Sequence, residues 1–156
     1  MNKIRSWLYI GKYKETTQFH LLSGFNITSM LLLAELVEHP GITSRYLAVD
    51  DGISLPTNLL QEGVQFVLDE KKRGRTILVA CGAGISRSAT FATAVLKEVE
   101  QISLLEAFQI VKQNHPEAMP HPALWKSLCT FYNEAVSWRS IEKQNLPLHQ
   151  KLPKRN

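Results

Sequence analysis

The stretch "TILVACGAGISRSATFATAVLKEV", residues 76 to 99, constrains the fold of this chain more than any other. It opens on a short, mostly apolar run, the pattern of a strand buried on both faces as in a parallel sheet. A turn of small residues follows, and from Ser86 onward few polar residues occur after the first turn, which suits a helix packed in the middle of a domain. A strand that feeds such a helix through a glycine turn belongs to an α/β architecture.

The flanking segments agree. "SWLYIG", "NITSMLLLAE" and "SRYLAVD" read as further strands, and "TTQFHLLSGF" as a short helix ended by Gly24. Leu59, Leu60, Val64, Val67 and Leu68 recur at helical spacing between Pro56, at a first helical turn, and Gly74. Ser103 and Glu106 have capping-box spacing ahead of a helix, and a last helix is predicted over 122–138. The fold class that follows is α/β: a single domain with a central, mostly parallel sheet flanked by helices. The domain is expected over 1–140, with 141–156 a basic, flexible tail, in which Lys143, Lys151, Lys154 and Arg155 face only Glu142.

Composition narrows the function. With 156 residues the chain fits one domain, and the +4 formal charge is the mild excess of a soluble protein. The tail has no aromatic residues interleaved as stacking platforms, so nucleic acid is not the expected partner. No apolar run is long enough for a membrane span and the start lacks a signal peptide, which points to the cytoplasm. The two cysteines, Cys81 and Cys129, are expected as free thiols. Cys129 lies on the apolar face of "LWKSLCTFY" and reads as a buried helix residue. His20, His39, His115, His121 and His149 show no metal-ligand spacing on one helical face, so neither a metal nor a cofactor is expected.

Cys81 stands where an α/β sheet places its ligand site, beyond the carboxyl end of a strand. Gly82, Ala83, Gly84, Ile85 and Ser86 form a turn small enough to curl several N–H groups around one concavity, and the following helix adds the positive end of its dipole. Such a cradle binds a tetrahedral oxyanion. Arg87 can bring a planar fork to two of its oxygens. The same field favours a thiolate at Cys81, which under a bound phosphate is a nucleophile. Ser88 is placed to hydrogen-bond the sulfur as it leaves. A carboxyl must protonate the leaving oxygen and later activate water, and "VDDGISLP" supplies two candidates, Asp50 and Asp51.

"CGAGISRS" resembles the Cys-x5-Arg-Ser phosphate loop of the dual-specificity and protein tyrosine phosphatases. "LYIG", "LLSGFNITSMLLL" and "YLAVDDG" occur in the family's order and approximate spacing, so the resemblance covers roughly residues 4 to 135. It implies a metal-independent protein phosphatase acting on phosphotyrosine, with phosphoserine and phosphothreonine as further substrates, through a cysteinyl-phosphate. It places the acid about thirty residues before the cysteine, which fits both aspartates; Gly52 and Pro56 favour Asp51. Gly82 and Ile85 stand where phosphoinositide phosphatases of the superfamily tend to carry lysines, which argues against lipid substrates. One departure is Ala80, where the family usually has histidine. That departure motivates an alternative, a phosphate-binding pseudophosphatase acting as an interaction module, although such proteins usually lose the cysteine or the arginine, and both are present here.

Overall fold

The computed structural model describes residues 1–143; the rest of the expected tail, 144–156, lies outside them. In chain order the elements are β1 (Asn2–Arg5), β2 (Leu8–Lys12), α1 (Tyr13–Thr16), α2 (Phe19–Gly24), β3 (Ser29–Leu32) and β4 (Thr43–Tyr46). They continue with α3 (Thr57–Lys72), β5 (Ile77–Cys81), α4 (Arg87–Glu100), α5 (Leu104–Asn114), α6 (Pro122–Tyr132) and α7 (Trp138–Glu142). The five strands form one sheet in the order β1-β2-β5-β3-β4, parallel throughout except for the β1–β2 pair.

All five residues of β5 are buried, because β5 is the central strand and both sheet faces are covered. Its side chains alternate between two cores. Ile77, Val79 and Cys81 enter the larger one with Leu8 and Ile10 of β2 and the apolar faces of α3, α4, α5 and α6. Leu78 and Ala80 enter a smaller one with Tyr9, Met30 and Leu22 of α2. Cys81 and Ala80 therefore point to opposite faces of the sheet. Helix α4 is buried continuously from Ser88 to Leu96, as its sparse polarity predicts. Close approach of α3 to α4 depends on Gly63: a Cβ there would lie 2.3 Å from Cε1 of the fully buried Phe91.

Several predicted boundaries shift. The expected helix over 122–138 is two, because Asn133 takes a left-handed conformation (φ 52°) and the chain turns back. The indole N–H of Trp125 donates to the Val136 carbonyl (2.8 Å), and that of Trp138 to the Pro120 carbonyl (2.9 Å). Gly24 is the last helical residue of α2 rather than the residue beyond it, and the left-handed position falls to Asn26 (φ 57°). The strand expected at "SRYLAVD" runs Thr43–Tyr46, one residue earlier at its start and shorter at its end. Strand β1 has no counterpart in the sequence reading: only Ile4 of its four residues is buried, too weak a pattern for a strand. The Ser103 and Glu106 box forms as expected, with both reciprocal bonds near 3 Å (3.1 and 3.0 Å). Ile141, at the expected start of the tail, is buried in α7.

Candidate active site

Chain connections leave the central strand β5 flanked by β2 and β3, and the loop from Cys81 to Arg87 emerges between their carboxyl ends. Cys81 is 3 % exposed, and its Sγ lies 3.2 Å from the hydroxyl of Ser88, in the first turn of α4.

The loop's shape is set from outside. The Gly82 carbonyl accepts from the Tyr13 N–H (3.3 Å), the Ile85 carbonyl from the Met119 N–H (2.9 Å), and the Gly84 carbonyl from Nε2 of His115 (2.6 Å). In a trans peptide the C=O and the following N–H point in opposite directions, and there is no cis bond among the described residues. Three carbonyls pulled outward therefore turn the N–H groups of Ala83, Ile85 and Ser86 inward. Gly84 is needed twice over: its φ is +71°, and a Cβ would sit 3.0 Å from the Gly11 carbonyl oxygen. No side chain caps α4, which leaves its first N–H groups facing the same concavity.

Arg87 is oriented by carbonyls that the sequence does not advertise. One terminal nitrogen donates to Leu33 O (3.2 Å) and Val49 O (3.0 Å), which lie just past the carboxyl ends of β3 and β4. Its other terminal nitrogen would be 3.2 Å from a Cβ at position 82, so Gly82 keeps clear the space into which the guanidinium reaches.

Of the two aspartates, Asp51 is joined to the loop: Ser86 Oγ donates to its Oδ1 (2.8 Å) and accepts from the His121 N–H (2.8 Å). The Asp51 loop is tied further along by the Leu55 N–H, which donates to Ser127 Oγ of α6 (3.0 Å). Asp50 is exposed, one residue before this tether. Cys129 is half-buried on α6, less enclosed than expected; its thiol donates to the Val136 carbonyl (3.4 Å), and burial pushes its pKa up.

Sequence reasoning brought together Cys81, the 82–86 turn, Arg87, Ser88 and Asp51. It missed the outer supports, Tyr13, His115, Met119 and His121. Three of these, Tyr13, Met119 and His121, act on the loop through a backbone N–H, which no residue type signals. For His115 the signal was available in "NHPEAMPHP", a proline-rich turn holding a histidine, but the histidines were weighed only as metal ligands.

A cysteine at the end of a central strand, followed by a loop of inward N–H groups and an arginine six residues on, has the arrangement of a Cys-x5-Arg phosphate-loop domain. The catalytic-domain profile of the dual specificity phosphatases matches residues 8–134, and the chain belongs to that family within the protein tyrosine phosphatase superfamily. It is 30% identical over 152 residues to mouse dual specificity protein phosphatase 14, covering 93% of this chain and 75% of that one. Human dual specificity protein phosphatase 5 is 27% identical over 86% of this chain, which spans only 36% of that protein's length. The crystal structure of human DUSP28 has the same fold, with a TM-score of 0.78 over 92% of this chain and 99% of that one at 23% identity. Among the described residues, no helix is long and apolar enough to cross a membrane.

Proposed function

We propose that the chain is a metal-independent protein phosphatase that hydrolyses phosphotyrosine, and phosphoserine or phosphothreonine, through a cysteinyl-phosphate. The observation that carries this reading is the set of N–H groups turned inward above Cys81 Sγ by the outward bonds of Gly82, Gly84 and Ile85. The phosphoryl oxygens sit on these donors and on the free edge of Arg87, which holds phosphorus in line with sulfur.

In the first step the Cys81 thiolate forms the S–P bond as the P–O bond to the substrate breaks, and the leaving oxygen takes a proton from Asp51. In the second, Asp51 takes a proton from water as its oxygen attacks phosphorus; the S–P bond breaks and inorganic phosphate is released. Ser88, whose hydroxyl lies 3.2 Å from the sulfur, donates a hydrogen bond to the thiolate as the S–P bond breaks. The Ser86 bond occupies one carboxyl oxygen of Asp51 and leaves the other for the substrate. Ala80 fits this chemistry, since its side chain lies on the opposite face of the sheet from Cys81. The proposed setting is the cytoplasm, where Cys81 remains reduced.

Hydrolysis of para-nitrophenyl phosphate in the presence of chelator tests the reading. Activity in the wild type with a bell-shaped pH profile, and none in Cys81→Ser, is the expected result. A wild type as inert as Cys81→Ser that still binds phosphate would replace the enzyme with the phosphate-binding module.

A further inference from the structure

We propose that His115 is a positioning residue for the phosphate loop, holding the Gly84–Ile85 peptide in the orientation that aims the Ile85 N–H at the phosphoryl group. The inference rests on the phosphatase reading for its effect on turnover, but the contact itself can be tested without it.

His115 is 6 % exposed, and its Nε2 lies 2.6 Å from the Gly84 carbonyl oxygen. A carbonyl only accepts, so the ring must carry its proton on Nε2. The ring is fixed from its own backbone, because the His115 N–H donates to Val111 O at the end of α5 (2.8 Å) and its carbonyl accepts from Ala118 N–H (2.9 Å). Gly84 has no Cβ and sits at φ +71°, so the peptide that follows it meets little steric resistance to turning over unless its carbonyl is held. On its outer side the loop borders a cavity of about 460 Å³, lined by Gly11, Lys12, Ala83, Gly84 and His115 among others. Without an N–H donor at position 115 the carbonyl would look for another partner, and turning the peptide to find one would withdraw the Ile85 N–H from the cradle.

Three substitutions separate this role from simple packing. His115→Phe fills the space, excludes water and removes the donor. His115→Ala removes the donor but opens the site to water from the adjoining cavity, which can bond the carbonyl in its place. His115→Gln keeps an N–H near the position of Nε2. Positioning predicts that Phe is the most damaging, with a loss of about 10- to 100-fold in kcat/KM and in the calorimetric affinity for inorganic phosphate. Ala should lose less, and Gln should stay within about threefold of the wild type. Packing predicts the reverse order of Phe and Ala.

A folded His115→Phe that matches the wild type, or a His115→Ala weaker than His115→Phe, overturns the proposal. If His115→Phe does not fold, nitrogen-15 NMR of wild-type His115 decides: an Nε2–H tautomer supports the bond and an Nδ1–H tautomer excludes it. A wild type without turnover would remove the phosphatase reading and leave phosphate affinity and the tautomer to report on His115.

Discussion

Asp51 and Asp50 are adjacent in sequence, yet only Asp51 is tethered to the phosphate loop, through Ser86. With a phosphotyrosine peptide, Asp51→Asn is expected to lower kcat by about 10² to 10⁴, the usual contribution of general acid–base catalysis, and Asp50→Asn to change it by less than about twofold. Equal losses from the two variants would mean that the tether does not mark the acid. Arg87→Lys is expected to lower kcat/KM by roughly 10²-fold or more, because an ammonium cannot hold the Leu33 and Val49 carbonyls with one edge and offer another to phosphate. Steady-state kinetics on the same peptide checks both. At this scale the sequence singles out candidates whose chemistry would lie in their side chains, Cys81, Arg87, Ser88 and the aspartate pair. It cannot reveal Leu33 and Val49, which act through carbonyls that every residue possesses, and spacing alone does not choose between the neighbouring carboxyls, for which the resemblance favours Asp51.

Among the elements, the α3–α4 contact is the least tolerant of added bulk. Gly63→Ala would drive a methyl group against the ring of the fully buried Phe91 and against Leu47. A loss of about 1–3 kcal/mol is expected in denaturant unfolding, the usual cost of overpacking. The strong periodic segments could be read in advance: α3 from its apolar spacing, β5 from its unbroken apolar run, and α5 from its capping box. The elements that could not were those whose limits depend on distant partners. The end of β4 gives way to a segment whose Val49 carbonyl is drawn to Arg87, and the break after α6 follows from indole bonds of Trp125 and Trp138 across the turn.

Across the whole molecule, Glu134 joins three parts of the helical layer. Following α6, it accepts from the Leu104 N–H at the start of α5 (3.1 Å) and pairs with Lys97 of α4 (2.5 Å). Burial works to raise its pKa, but the hydrogen bonds from Lys97 and Leu104 and the lysine charge outweigh it and hold the carboxyl below its ordinary range. A group depressed by folding adds stability above its unfolded pKa and loses it as pH falls through the folded value. Glu134→Gln should therefore cost about 1 kcal/mol at neutral pH, and the difference from the wild type should shrink on acidification. Urea unfolding of both proteins at neutral and acidic pH checks the sign; a constant difference would rule out the ion pair as its source.

The α/β class was legible because it depends on one strand, one turn and one helix contiguous in sequence. The supports of the phosphate loop are spread from Tyr13 to His121, on both sides of Cys81. A chain made from its amino end therefore exposes Cys81 before all of the residues that shape its loop exist. On the proposed reading, phosphate competence arrives only when the 115–121 segment docks. If the proposed activity holds, a growing chain would acquire it late, and activity regained on refolding would report the arrival of that segment rather than the formation of the sheet.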